Sequence, residues 1–383
     1  MKRIAILGST GSIGVSALDV LASLKDKFRV VALSACSNAG LLASQAARFR
    51  PRIISIGSAA LASRMKNVVG RGTRIVFGAD GLNEIASAGY VDIVLFAVSG
   101  SSCIRTLIKA IECGKRIALA NKESLVSAGC VIMRKARAFK VDIIPIDSEH
   151  SAIFQCLSGK REFLKKIYLT GSGGPLLDVP PSRFDALPRS SILNHPKWRM
   201  GKKISVDSAT MMNKGLEIIE ARWLFDVDEN NIEVLVHPEA VIHSMVEFVD
   251  GAILAQMGVP DMRVPIQYAI TYPSRYRSPA GRIDFGKLRS LTFRAPNIGK
   301  FPCLGLARSA LAQGGTAPAA LNAANEEAVR CFLDGGIKFS RIPDVIERVL
   351  SRHKNLKKKE PSLADITAAD EWARCEARSS CCR

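Results

Sequence analysis

Short apolar runs alternate with helical stripes along the first 147 residues. Arg3-Ile4-Ala5-Ile6-Leu7 reads as a strand, and Ala17, Val20, Leu21 and Leu24 recur after it on one helical face. Further strand-like runs fall at 28–33, 53–56, 91–98, 117–120 and 141–146, with helical patterns between them. Repeated βα units predict an α/β fold with a mainly parallel sheet. Beyond Ser151 the pattern changes. Strands are expected at 233–236 and 244–249, antiparallel with 252–257, because Asp250-Gly251 makes a tight hairpin turn. Residues 272–296, rich in Pro, Arg and Ser, read as a linker. Residues 304–352 read as helical, and their stripe of Leu321, Ala324, Ala328 and Phe332 suits a bundle core better than a cofactor contact.

Candidate chemistry sits where the pattern breaks. Gly8-Ser9-Thr10-Gly11-Ser12-Ile13-Gly14 lies between the first strand and the first helix, so its backbone can approach a pyrophosphate at a helix N-terminus. The second strand ends at Cys36-Ser37-Asn38, where a dinucleotide fold reads the adenosine ribose. An acid there would favour NAD; none is present, which argues for NADP. The strand ending at Ile146 runs into Asp147-Ser148-Glu149-His150. In an extended backbone residues i and i+2 point the same way, so Asp147 and Glu149 are expected to converge on one ion. Oxygen-only ligands favour magnesium or manganese over zinc. Asp147 or Ser148 can also cap the following helix, which does not compete with metal binding.

The segment 204–217 gathers Ser205, Asp207, Ser208, Thr210, Asn213, Lys214 and Glu217 without a charge run. Its hydroxyl and amide donors suit phosphate oxygens, and Glu217 suits a hard cation. A serine-capped helix with Asp207 or Ser208 capping and Glu217 exposed explains the same residues, and this segment alone leaves both readings open. The Gly-rich stretch 171–175 and a Pro-rich connection lead to His195 and Trp198, predicting an active-site lid near 172–201; a surface loop with Trp198 docked for packing is the plainer alternative.

At 383 residues the chain needs two or three domains. Its 54 Lys+Arg against 35 Asp+Glu give +19, which raises nucleic acid as a partner. The basic residues are scattered with few aromatics among them, so the charge reads as solubility and attraction for small anions. The dense run Lys357-Lys358-Lys359 reads as a solvated loop. Ten cysteines form no CxxC pair and no zinc spacing, as expected of reduced thiols in a cytoplasmic protein, with Cys381-Cys382 in a disordered tail. No apolar stretch reaches membrane-spanning length, and a strand beginning at Arg3 leaves no room for a signal peptide.

Seven motifs in order resemble the 1-deoxy-D-xylulose 5-phosphate reductoisomerase family. They are GSTGSIG (8–14), LANKESLV (119–126), PIDSEHSAIFQ (145–155), LTGSGGP (169–175), HPKWRMGKKISVDSATMMNKGLE (195–217), PDMRVPI (260–266) and ALNAANE (320–326). The match runs from Lys2 to about Phe339 and is weak after about residue 340. The resemblance implies a Rossmann-like NADPH domain (1–147), a central α+β catalytic domain (148–271), a linker (272–297) and a C-terminal helical bundle domain (298–375), in a homodimer.

It also implies roles for single residues. Asp147, Glu149 and Glu217 would hold one Mn2+ or Mg2+. Lys122, Ser148 and Glu149 would meet the substrate's carbonyl and hydroxyl end. Ser172, Ser208, Asn213 and Lys214 would take its phosphate, with His195 and Trp198 closing the lid and His150 supporting the acid pair. Thr10, Gly11, Ser12, Ile13, Ser37, Asn38, Asn121, Glu123 and Gly201 would contact NADPH, with Met262 near the nicotinamide. Cys36 stands where many relatives carry glycine, so the adenosine corner departs from the family pattern. The implied reaction rearranges a ketose phosphate by retro-aldol cleavage and re-addition, then reduces the aldehyde with a hydride. The cation would stabilise enediolate charge, and Lys122 could add charge or relay a proton. Another Rossmann dehydrogenase would need a Cys nucleophile or a His/Lys pair and leaves the acids unexplained; a nucleic-acid-binding protein would instead show metal-independent, salt-sensitive binding.

Overall fold

The computed structural model describes residues 1–66, 69–70, 72–356 and 360–382; the Lys357-Lys358-Lys359 run lies outside them. In chain order the elements begin β1 (Lys2–Leu7), α1 (Ser12–Ser23), β2 (Phe28–Ser34), α2 (Ala39–Phe49), β3 (Ile53–Ile56), α3 (Ala59–Met65), β4 (Arg74–Phe77), α4 (Gly78–Ser87), β5 (Ile93–Phe96), α5 (Ile104–Glu112) and β6 (Arg116–Leu119). There follow α6 (Lys122–Ala138), β7 (Ile143–Pro145), α7 (Ser148–Leu157), β8 (Leu164–Gly171), α8 (Arg189–Leu193), α9 (Lys202–Ala209), α10 (Met212–Phe225), β9 (Ile232–Val236), β10 (Ile242–Phe248) and β11 (Ile253–Met257). The chain closes with α11 (Arg263–Thr271), α12 (Pro302–Gln313), α13 (Ala317–Asp334), α14 (Arg341–Arg352) and α15 (Leu363–Cys381). Two compact units result. One comprises 1–121, 132–151 and 261–281; the other comprises 122–131, 152–260 and 282–383. The division cuts across the segments expected from sequence.

The first unit is a seven-stranded sheet in the order β4-β3-β2-β1-β5-β6-β7. Every pair is parallel. Strands buried on both faces need no alternation, and Ile4, Ala5, Ile6 and Leu7 are all fully buried. Strand order reverses at β1, which pairs with β2 on one side and β5 on the other. That reversal is where open α/β sheets bind ligands. β4 was not anticipated; it is a short, half-exposed edge strand whose packing demands little apolar pattern. Helix α11 arrives from far along the chain to pack on α1, and the Arg116 guanidinium donates to Tyr272 O at 2.8 Å.

The second unit holds a mixed sheet in the order β11-β10-β8-β9. The β10–β11 hairpin is antiparallel as expected. β9 departs from expectation: it pairs with β8, in parallel, and does not join the hairpin. The long helical connection between β8 and β9 provides the crossover that a parallel return requires. Helix α10 packs on α12 so closely that a Cβ on Gly215 would lie 2.5 Å from Ala307 Cβ. The tail is ordered, contrary to expectation. Ser362 and Asp365 form a capping box for α15, Ile366, Ala369, Ala373 and Ala377 bury one face, and Cys381 closes the helix. Arg374 and Arg378 tie it to Glu326 and Glu327 of α13.

The middle of the expected lid is anchored. Residues 181–186 form a 3-10 turn whose Phe184 meets Phe339 edge-on at 5.6 Å. Arg189 donates to Leu333 O, and Asp185 accepts from the Ser340 amide and hydroxyl.

Gly14 carries the helix start against the preceding turn: a Cβ there would lie 2.3 Å from Gly8 O. Backbone cannot yield as a flexible side chain can, so Gly14→Ala is expected to cost about 1–3 kcal/mol. Gly40→Ala, which meets nothing within 4 Å, should stabilise α2 by up to about 1 kcal/mol. The shift in urea midpoint distinguishes the two.

Candidate active site

In the first unit, the Gly-rich turn follows β1 at the strand-order reversal. Gly8 has φ +88°, and a Cβ would lie 2.5 Å from Ala97 O at the end of β5, so only glycine lets the two strand ends approach this closely. The Gly8 and Ser9 amides donate to Ser34 O. Gly11 precedes α1 with no side-chain cap and no acid in the first turn, leaving amides of this turn available to an anion. Thr10 and Ile13 are half-buried, while Gly11 and Ser12 are exposed. Cys36, Ser37 and Asn38 are exposed at the end of β2. Asn38 is already in use as the α2 cap, its Oδ1 accepting from Leu41 N at 3.1 Å, so only its amide nitrogen can donate outward. Asn121 is buried and donates to Val98 O and Gly100 O, pinning the loop after β5. Met262 is half-buried at the start of α11.

The acid pair lies in the same unit. Asp147 and Glu149 do not share an extended backbone, because α7 begins at Ser148 and places Glu149 in its first turn. Asp147 Oδ1 accepts from the amides of Glu149 (3.2 Å) and His150 (3.4 Å), so the capping interaction is what turns the chain. Buried His150 holds the same oxygen through Nδ1 at 3.0 Å, and the Ser148 hydroxyl donates to Glu149. The pair is half-buried. His150 thus braces Asp147.

In the second unit, Glu217 is fully buried on α10. Its Oε1 accepts from Lys122 Nζ (3.1 Å) and Asn213 Nδ2 (2.6 Å), and its Oε2 from Lys214 Nζ (2.5 Å). Glu217 is therefore not the exposed end of a serine-capped helix; Asp207 and Ser208 lie inside α9, and Met211 at φ +59° breaks the chain before α10. Lys214 also donates to Thr170 O at 2.6 Å, under the end of β8. Gly171 makes that possible, since a Cβ there would lie 2.7 Å from Lys214 Cε. Asn213 Oδ1 is buried with no partner among the described residues, an acceptor left for a bound molecule.

The loop residues gather nearby. Ser172 Oγ meets His195 Nε2 at 2.9 Å. His195 Nδ1 accepts from the amides of Lys197 and Trp198, so the ring proton sits on Nε2 and points at Ser172. Gly174, at φ +73°, lies against Ser208, where a Cβ would come 2.6 Å from Ser208 O. Trp198 leans on His243 with ring centroids 6.0 Å apart. Gly201 opens α9 with nothing within 4 Å of a Cβ.

Glu123, expected at the cofactor, is paired with Lys203 at 3.1 Å, and Lys203 reaches Asp207 at 2.8 Å. Burial alone would push Lys203 down and Glu123 up; Asp207 and Glu123 hold the amine above its usual range, and Lys203 holds Glu123 below the carboxylate range. Sequence reading missed Lys203 and the Asn325 amide that donates to Asp207 at 2.9 Å. An acid four residues after a lysine on one helix, Lys203 and Asp207, was the available signal.

Three family models match the chain: "1-deoxy-D-xylulose 5-phosphate reductoisomerase" over residues 4–129, its C-terminal domain over 143–225, and "DXP reductoisomerase C-terminal domain" over 257–376. The last extends the similarity well past residue 340. The reductoisomerase of Trichlorobacter lovleyi is 46% identical over 383 residues, covering 100% of this chain and 98% of its own. That of Heliobacterium modesticaldum is 49% identical, covering 98% and 96%. The solved Zymomonas mobilis reductoisomerase with NADPH matches at TM-score 0.92 and 41% identity, covering 99% of both chains. A reductoisomerase solved with NADPH, fosmidomycin and magnesium matches at TM-score 0.95 and 40% identity, covering 100% and 98%.

Removing one partner of a buried ion pair leaves the other charge uncompensated. Lys214→Met is expected to destabilise by about 3 kcal/mol. Adding Glu217→Gln should recover part of that loss, because no buried anion then remains. Strict additivity of the two losses in denaturant titrations would contradict the pairing.

Proposed function

The chain belongs to the 1-deoxy-D-xylulose 5-phosphate reductoisomerase family, and from that premise we propose that Asp147, Glu149 and Glu217 hold its divalent cation. The protein is an oxidoreductase that converts 1-deoxy-D-xylulose 5-phosphate to 2-C-methyl-D-erythritol 4-phosphate, using NADPH and a divalent metal. The observation that carries the residue assignment is the buried Glu217 carboxylate, gathered by Lys122, Lys214 and Asn213. The donor set fits a hard cation: three carboxylates and no sulfur or imidazole. When bound, the cation supplies Lewis acidity toward the substrate oxygens and NADPH supplies the hydride.

The chain's own groups divide the remaining work. The Lys122 amine, held on Glu217, balances negative charge at the reacting oxygens and can pass them a proton. Ser148 orients the hydroxyl end from beside Glu149. Ser172 and Ser208 both border Gly174 and take the phosphate with Asn213 and Lys214, which must release part of their hold on Glu217 to do so. The Nε2 proton of His195 fixes Ser172, and Trp198 shields the site from water. The turn Thr10–Ile13, Cys36, Ser37, Asn38, Asn121, Glu123, Gly201 and Met262 receive NADPH. Residues 1–147 then form the cofactor domain, 148–271 the catalytic domain, 272–297 the linker and 298–375 the helical domain.

Two finer readings complete the proposal. The protein is cytoplasmic, a reading supported by its ten cysteines, all of them free thiols and none in a disulfide. Among the described residues no helix is long and apolar enough to cross a membrane. The protein is a homodimer. β11 is a sheet edge with Ile253 51% and Leu254 49% exposed, an edge that a second copy can extend by strand pairing.

NADPH absorbance should fall only when the ketose phosphate and Mn2+ or Mg2+ are both present. Asp147→Asn should lose about a hundredfold or more in kcat/KM. Undiminished turnover after metal stripping contradicts the metal-dependent account. In sedimentation, the wild type should run as a dimer of 41.4 kDa chains. Leu254→Lys should shift it toward monomer, whereas a monomeric wild type overturns the edge-pairing reading.

A further inference from the structure

Lys203 takes no part in the proposed handling of substrate, cation or cofactor, yet it stands, half-buried, at the centre of a polar cluster whose nearest acids are buried. Its Nζ lies 3.1 Å from Glu123 Oε1 and 2.8 Å from Asp207 Oδ2. Asp207 is buried and also accepts from Asn325 Nδ2 at 2.9 Å, while Asn325 Oδ1 has no hydrogen-bond partner among the described residues. Glu326, next along α13, lies within electrostatic reach of Lys203 and pairs with Arg374 of α15 at 2.7 Å. The cluster thus runs from the first turn of α6, through the first turns of α9, to the helical layer behind.

Stability does not explain such a cluster. A buried ion pair roughly breaks even against apolar residues of the same volume, and an unpaired buried carbonyl is a net cost. What the cluster does supply is a defined position. Glu123 follows Lys122 directly, so holding its carboxylate fixes the turn that presents the Lys122 amine. Asp207 precedes Ser208 directly, so the same ammonium fixes the turn that presents the Ser208 hydroxyl.

We propose that Lys203 is a positioning residue for the reaction, setting the first turn of α6, with Lys122 and Glu123, against the α9 helix that carries Ser208. This rests on the proposed roles of Lys122 at the reacting oxygens and Glu123 at NADPH. Lys203 touches neither substrate nor cofactor; its effect passes through the two acids it holds.

The test uses the full-length protein. Lys203→Met keeps the length of the side chain and removes its charge. It is expected to lower kcat and raise the KM for NADPH, each by about tenfold, the scale of one charge-assisted hydrogen bond. The KM for the ketose phosphate should rise by less than about tenfold, since Ser208 is only one of four groups assigned to its phosphate and Ser172, Asn213 and Lys214 are held independently of Lys203. Lys203→Arg, which can bridge both acids, should restore most of the loss. The NADPH effects of Lys203→Met and Glu123→Gln should not add, because they break one interaction. Reduced thermal stability with unchanged kcat and unchanged KM for NADPH would show a purely structural ion pair and overturn the proposal. If Glu123→Gln leaves the KM for NADPH unchanged while Lys203→Met still loses kcat, the cofactor role of Glu123 fails and positioning of Lys122 stands. Should Lys203→Met not fold, Lys203→Met/Asp207→Asn removes one charge of each sign, and the same kinetic loss is expected; wild-type kinetics in that variant also overturn the proposal.

Discussion

A carboxylate removed from water must be met by donors, and Glu217 is the point on which this site turns. It has no exposed surface, and two ammonium groups and one amide converge on its oxygens. Each donor arrives from a different constraint. Lys122 is the first residue of α6; Asn213 and Lys214 lie four and three residues before Glu217 on α10, so helical spacing brings them to the same face. Gly171 leaves the gap through which Lys214 also reaches Thr170 O. Two ammonium groups on one carboxylate oppose a further cation, so Glu217 can serve the proposed metal only if the lysines give up part of their contact with it.

The first unit rests on a different constraint, close backbone approach. Gly8 and Gly14 each occupy positions where a Cβ would collide with backbone carbonyl oxygen. Their cost in chain entropy is offset by bringing the β1–α1 turn against the β5 end at the strand-order reversal. The acid pair is set at the far end of the same sheet by the Asp147 cap, so a helix start and not a strand directs both carboxylates.

Much of this was legible in the residues, for identifiable reasons. Fully buried parallel strands announce themselves as apolar runs, and β1, β2, β3, β5, β6 and β7 fell within a few residues of expectation. β4 is half-exposed and carries no such demand, which hid it. The partner of β9 depends on the crossover through α9 and α10, a property of chain path that local pattern does not contain. The same holds for 261–281, which join the first unit although the preceding residues belong to the second. Residue types put Asp147, Glu149, Lys214 and Glu217 forward as candidates, but the geometry expected of the first two did not hold. Alternation along a strand does not apply to Asp147 and Glu149, because the chain turns into α7 between them. Lys203 escaped notice because a lysine near an acid on a helix is usually a solvated pair, and only packing puts its ammonium among Glu123 and Asp207.

The central claim is that Glu217 serves a cation together with Asp147 and Glu149, and equilibrium binding of Mn2+ tests it apart from turnover. Electron paramagnetic resonance of the free ion, titrated against metal-stripped protein, counts the sites directly. One Mn2+ per chain is expected for the wild type, with affinity reduced by about tenfold or more in Glu217→Gln and in Asp147→Asn alike. Undiminished binding of Mn2+ by the Glu217→Gln protein would contradict the account.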